Sequence, residues 1–213
     1  MLIHPWDRAV SDDEWRALLS DVGFGQLIAP GGPDRIMPVV VPTHFVYDGA
    51  DLVVLHLARP NPVWRALEER PRALLTVVAD YVYVPASVNQ GSVGPAGRGV
   101  PTSYYASVQA DCDVEVVDDA QAKTAILNTQ LRVFEPPDGA RLPVDVAEPA
   151  DARQLPGIRA VRLVIREVRA KFKYGGNKSA AHRTAIAAAL ATRAGPRDEA
   201  ARRRLLDRLR ADE

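Results

Sequence analysis

Residues 56–64 read His-Leu-Ala-Arg-Pro-Asn-Pro-Val-Trp and follow an apolar run that starts at Asp51. Taken as a strand, 51–58 puts His56 on the face of Leu52, Val54 and Ala58, because side chains alternate. Arg59 and Asn61 then fall at the turn into a helix, with Asn61 as N-cap and Pro62 at the first helical position. Free N–H groups at a helix start, the helix dipole and a guanidinium that can grip two oxygens together favour an anion such as phosphate. The competing reading is structural: a solvated strand-end arginine and an ordinary cap.

A second group closes the chain's last strand as Lys-Phe-Lys-Tyr-Gly-Gly-Asn-Lys-Ser, residues 171–179. Lys171 and Lys173 share a strand face, Gly175-Gly176 turn, and Asn177 caps a helix that begins Lys178-Ser179. Two amines beside a helix start again favour an anion, against the plainer reading of a solvated basic strand end. Pro101, Thr102 and Ser103 lead into another strand, and Tyr81, Tyr83, Tyr104 and Tyr105 offer flat walls or hydroxyls, unless they are ordinary core tyrosines. His4, His44, His56 and His182 show no metal-ligand spacing, and Cys112 has no second cysteine to pair with. It falls on the apolar face of its strand, as a buried and unreactive thiol would. No GxSxG, GxxxxGK[ST] or post-strand GxGxxG is present, which removes serine hydrolases, P-loop enzymes and Rossmann dehydrogenases.

The elements that must position these groups are mostly strands. Residues 24–29, 35–42, 43–48, 51–58 and 73–85 are rich in Val, Ile, Leu and Tyr and separated by turn residues, and 103–110 alternate polar and apolar at period two. A long strand spans 157–174. Helices are expected at Ser11 onward, where Glu14 completes a capping box ahead of Trp15, Leu18 and Leu19, and at 61–70, 118–134, 177–194 and 196–212. The glycine-rich 89–101 reads as a mobile loop, a candidate lid, and 135–156 as a Pro- and acid-rich connector. About seven strands with few helices between them argue for a mainly β fold, an antiparallel barrel with peripheral helices, rather than βαβ units. The expected division is a barrel domain over 1–176 and C-terminal helices over 177–213, packed on the barrel or extending from it.

With 213 residues, 47% hydrophobic and 25% charged, the chain can bury a substantial core. Lys+Arg and Asp+Glu both total 27, so no global field points to nucleic acid or to an acidic membrane. One cysteine, no signal-like apolar segment at the N-terminus and no apolar run of spanning length lead us to expect a soluble, cytoplasmic protein. The tail at 201–210 carries Arg202, Arg203, Arg204, Arg208 and Arg210, but Leu205, Leu206 and Leu209 share the helix and acids nearly balance the charge. A packing or solvated helix is therefore preferred to contact with nucleic acid through 196–213.

HLARPNPVW, VPTSYY and KFKYGGNKS resemble, in order and spacing, the PaiB-like proteins, an FMN-binding split-barrel family named for a negative transcriptional regulator; the resemblance covers roughly residues 1–190. It implies a six- or seven-stranded split barrel that dimerises, with FMN at the dimer interface, and a site that gathers His56, Arg59, Asn61, Tyr83, Pro101, Thr102, Ser103, Tyr104, Lys171, Lys173, Asn177 and Lys178. The ring would lie near Thr102, Ser103 and the tyrosines. Two stretches depart from the family's pattern: Ser103-Tyr104 stands for its usual Trp-Asn, and Tyr174-Gly175-Gly176 for its Leu-Ser-Gln.

The function this implies is a flavin-dependent oxidoreductase acting on a small molecule, with no residue standing out as an obligatory acid or base. A PaiB-like regulator is one alternative. Another is a haem b protein resembling the piperazate synthases, which form an N–N bond; His56 or His44 would then be the axial ligand.

Overall fold

The computed structural model describes residues 1–90 and 98–211. Seven strands, β1 (Phe24–Ala29), β2 (Val39–His44), β3 (Val46–Tyr47), β4 (Leu52–Ala58), β5 (Arg72–Val84), β6 (Thr102–Val117) and β7 (Ile158–Lys173), form one sheet in the order β2-β1-β5-β6-β7-β4-β3. The pairings of β1 with β2 and β5, and of β4 with β3 and β7, are antiparallel. The two edge strands of this order are consecutive in the chain, with only Phe45 between them. One residue cannot cross a sheet whose strands are spaced about 4.8 Å, so the sheet must curl until its edges adjoin, which makes a barrel.

The chain forms two compact units. The first comprises Arg16–Val77 and Gln109–Val168, and all seven strands contribute to it. Its interior is apolar, with Leu27, Leu55, Leu75, Cys112 and Leu163 fully buried. Gly25 is required there, since a Cβ would sit 2.5 Å from the Thr76 carbonyl oxygen and 3.3 Å from the Phe45 ring. Helix α4 (Ala120–Phe134), capped by Asp119, packs on β4. Buried Lys123 on this helix donates to the carbonyls of Leu155 (2.6 Å) and Ile158 (3.3 Å), which fixes the short 3-10 turn Leu155–Gly157 ahead of β7.

The second unit comprises Met1–Trp15, Val78–Val108 and Arg169–Glu213. Burial along β5 changes phase, from Ala73, Leu75 and Val77 to Val82 and Val84. An added residue around Asp80, whose φ is 50°, accounts for the change as a bulge does. Arg204 holds the Asp80 carboxylate at 2.8 Å and the Tyr174 hydroxyl donates to the Asp80 carbonyl at 3.1 Å. Arg204 belongs to α7 (Asp198–Ala211), which packs on α6 (Ala180–Arg193), with Ala201 and Leu205 of the one and Ile186 and Leu190 of the other buried. Arg208, also on α7, donates to both Glu14 oxygens at 3.0 Å and to the carbonyls of Trp6 (3.3 Å) and Arg8 (2.8 Å). Leu205, Arg204 and Arg208 of the tail are thus structural.

Several expectations need correction. Strand 35–42 starts only at Val39, with Ile36 and Met37 exposed, and 43–48 contributes its first two residues to β2. The connector 135–156 contains helix α5 (Pro149–Gln154), capped by Glu148 with Pro149 at the first turn. The last two helices start later than expected, and Ser179 rather than Asn177 caps α6, accepting from the His182 N–H at 3.3 Å. Residues 89 and 90 of the expected loop end a short helix, α3 (Ala86–Gln90), and residues 91–97 of the expected lid lie outside the described residues. Ser107, placed on the polar face of its strand, is buried.

Replacing Arg208 with Met should cost about 3 kcal/mol in urea unfolding, because Glu14 and two carbonyls lose a nearly buried partner; a loss below about 1 kcal/mol would make the clamp ornamental. The α6–α7 turn adds a pH dependence. Buried Asp198 accepts from Arg193 and from the Gly195 N–H (2.8 Å), and its carboxyl lies below its usual 3.8, first because of Arg193. A depressed folded value gives stability that is complete above the unfolded value and lost as pH falls through the folded one. Scanning calorimetry from about pH 7 down to about pH 3 should show a shallower acid-side decline for Asp198→Asn than for the native chain, from a lower starting Tm.

Candidate functional site

The two expected anion-binding groups belong to different units. Ala58 pairs with Ile158, the first residue of β7, whereas Lys171 and Lys173 are among its last three residues. Arg59 and Asn61 belong to one unit and the lysines to the other. At the first group, the Asn61 side-chain oxygen accepts from the Val63 N–H at 3.0 Å, so Asn61 acts as the expected cap of α2 (Val63–Glu69). Arg59 donates through Nε to the Pro156 carbonyl (2.6 Å) and through its NH2 group to Asp118 (3.0 Å). Asp118 also receives Arg159, whose pull, with that of Arg59, holds its carboxyl below the usual range. This guanidinium already has an anion.

At the second group, Lys171 is buried, donates to the Leu2 carbonyl (2.9 Å) and lies 3.7 Å from Asp7. Burial raises the Asp7 pKa against the opposing charge of Lys171. Lys173 is different. It is half-buried, donates to the Thr102 hydroxyl at 2.9 Å and stands, like Lys171, near the Tyr105 ring, 6.0 and 5.7 Å from its centroid. Since the Thr102 oxygen accepts from Lys173, its own proton is available to an anionic oxygen. An ammonium and a hydroxyl held together in this way fit a phosphate or a polarised ring oxygen. Pro101, Ser103 and Asn177 are exposed, Lys178 is half-buried, and Tyr83 is 60% exposed.

Tyr104 is buried, with its ring edge-on to Tyr174 at 5.8 Å. Burial pushes its hydroxyl up to about 12, and that oxygen has no hydrogen-bond partner among the described residues. A Cβ on Gly175, whose φ is 75°, would lie 2.5 Å from it.

The two histidines named as haem ligands line one cavity of about 440 Å³ in the first unit. Its apolar walls include Leu127, Leu131, Phe134, Val144, Leu155 and Ile158. His44 stands edge-on between Phe24 and Phe134 and is exposed. His56 lies 2.6 Å through Nδ1 from Gln130 Oε1. An amide oxygen only accepts, so Nδ1 carries the proton and Nε2 of the neutral ring is the acceptor. Arg141 and buried Asp151 on the cavity wall pair at 2.6 Å. The Asp145 N–H and Arg141 hold the Asp151 carboxyl below its usual range. Gln130, Arg141 and Asp151 were not picked out from the sequence. The one available signal was Gln130 itself, a polar residue one helical turn after buried Ile126 on the core-facing stripe. Cys112 is buried and its thiol pushed up to about 12 by burial, as expected of an unreactive cysteine. Among the described residues no cluster of His, Cys, Asp and Glu is arranged for a metal ion, and no helix is long and apolar enough to cross a membrane.

Residues 1–167 match the family model described as "Putative FMN-binding domain". The chain belongs to this FMN-binding domain family. No curated protein matches it. Among solved structures it is similar to the flavocytochrome Anf3 from Azotobacter vinelandii, with 20% identity and a TM-score of 0.61 over 80% of this chain and 71% of that one. It is also similar to an FAD and haem binding protein from Mycobacterium smegmatis, with 23% identity and a TM-score of 0.59 over 83% and 78% of the two chains. Likeness at these identities establishes the fold, which is a mainly β split barrel with peripheral helices.

The unpartnered hydroxyl of Tyr104 leads to a direct test. A buried hydroxyl without a partner costs about 1–3 kcal/mol, so Tyr104→Phe should leave urea stability unchanged or raise it by about 1 kcal/mol. A loss of about 1 kcal/mol or more would mean the hydroxyl does bond within the fold.

Proposed function

We propose that the chain is a homodimeric flavoprotein that holds FMN and serves a redox reaction on a small molecule. Membership of the FMN-binding family supports the cofactor, and the observation that carries its placement is the Lys173–Thr102 pair beside Tyr105. Lys173 supplies a positive charge, and Thr102 a hydroxyl proton, to an anionic oxygen of the cofactor. The dimer rests on the resemblance of the three sequence motifs to the PaiB-like proteins, which implies FMN at a dimer interface. Bound FMN would supply hydride or single-electron transfer, and the residues here would bind and orient it and offset its negative charge.

Two alternatives draw less support. For contact with nucleic acid through 196–213, four of the five tail arginines are already paired: Arg202 with Glu199, Arg204 with Asp80, Arg208 with Glu14 and Arg210 with Asp207. For haem b, His56 offers a suitably fixed ring, but the arginine on the cavity wall, Arg141, is committed to Asp151 and is a poor partner for two propionates. The visible spectrum of the purified protein separates the readings. Flavin bands, or uptake of added FMN with an affinity that falls at least about tenfold in Lys173→Met, are expected from the loss of one charged hydrogen bond. No uptake of FMN ends the flavin reading, and a Soret band lost on replacing His56 or His44 installs haem in its place.

A further inference from the structure

The cavity that contains His56 and His44 is left without a task by the flavin reading, whose donors lie in the other unit. Its features select a ligand. The volume, about 440 Å³, falls within the range of small-molecule sites. Leu127, Leu131, Val144, Leu155, Ile158 and the Phe134 ring give the wall an apolar part that suits a flat apolar body, and Gln154 adds an uncharged amide beside it. Besides the two histidines, the ionisable groups on the wall are Glu135, Arg141 and Asp151, two negative and one positive, and the positive one is paired with Asp151. Among the described residues, an anionic ligand would meet no free arginine or lysine on this wall. A further polar feature is His56, whose Nδ1–H is committed to buried Gln130, so that its Nε2 lone pair is what the ring can offer a ligand.

We infer that this cavity is a second binding site, for a neutral planar molecule, largely apolar, that donates one N–H or O–H hydrogen bond to His56 Nε2. Gln130 is the positioning residue. By accepting from Nδ1 it fixes the tautomer, and a neutral ring with Nδ1 protonated can only accept at Nε2. Ligands that carry an acceptor in place of the donor are therefore refused, since two lone pairs would face each other in an apolar site.

Indole has the required shape, neutrality and single N–H, and 1-methylindole is the same body without the donor. The full-length protein, with its flavin content measured beforehand, is titrated with each by calorimetry. The expected result is saturable one-to-one binding of indole, with 1-methylindole at least about tenfold weaker, the usual size of one buried hydrogen bond. In His56→Phe the two should bind alike. In Leu131→Trp, a replacement that fills the cavity, binding of both should vanish while circular dichroism and Tm are retained; should that variant not fold, the indole and 1-methylindole comparison on the native chain decides alone. Absence of saturable binding, equal affinity of the two compounds for the native chain, or binding unchanged in a folded Leu131→Trp overturns the inference. None of these outcomes depends on FMN, so the flavin reading stands or falls separately on its own spectrum.

Discussion

A seven-stranded sheet whose first and last strands are joined through one residue has to close, and the rest of the barrel follows from that constraint. Phe45 is that residue, fully buried, its N–H bonded to the Gly23 carbonyl at 2.9 Å. At position 25 of β1, Thr76 and the Phe45 ring together leave no room for a side chain. With the edges joined, the outer face of β4 is the surface over which α4 is laid, and the cavity beside the helix owes its position to this arrangement.

How much of this could be read from the chain depended on whether local pattern and tertiary demand agreed. At 24–29, 51–58 and 157–174 they agree: β-branched and aliphatic residues, bounded by turn formers, became β1, β4 and β7 within a residue or two. Helix 118–134 was equally legible, since Asp119 caps it and its apolar spacing is helical. Between 35 and 48 the pattern is ambiguous, because a run of valines interrupted by Pro42 is compatible with several strand boundaries. The closure of the barrel, an interaction between sequence-distant strands, chooses among them. The start of α6 was ambiguous for a different reason. Asn177 and Ser179 are both good caps, and the choice of Ser179 accompanies a bond from the His182 ring to the Asn89 carbonyl (2.8 Å) that no local motif encodes.

The candidate site was less legible than the fold, and charge is the reason. A motif shows which cations are near each other in sequence, but not which anions neutralise them. Arg59 meets Asp118, 59 positions away, and Lys171 lies beside Asp7 near the other end of the chain. Lys173 and Thr102 are 71 positions apart, yet here the partner is a hydroxyl, which leaves the ammonium its full charge. The distinction between a neutralised cation and one still able to bind an external anion therefore emerges only in the folded chain.

Long-range partnership also gives meaning to the two departures from the pattern of the PaiB-like proteins that the sequence resembles. Read separately, Tyr104 in place of Asn and Gly175 in place of Ser are unrelated changes some seventy residues apart. In the fold they are one change. The Tyr104 hydroxyl occupies the space that a side chain at 175 would need, since a Cβ there would lie 2.5 Å from it. A larger residue at 104 therefore requires a glycine at 175, and the positive φ of 75° at that position is a conformation glycine adopts without penalty. Tyr174 completes the exchange by setting its ring edge-on to Tyr104. What this stretch gains is a rigid aromatic pair close in sequence to Thr102 and Lys173, at the cost of one hydroxyl left without a partner. Such a pair stiffens the two strands that carry the joined ammonium and hydroxyl. A flexible lysine loses rotamer entropy when it binds an anion, so holding its strand and its Thr102 partner in place beforehand strengthens whatever it grips.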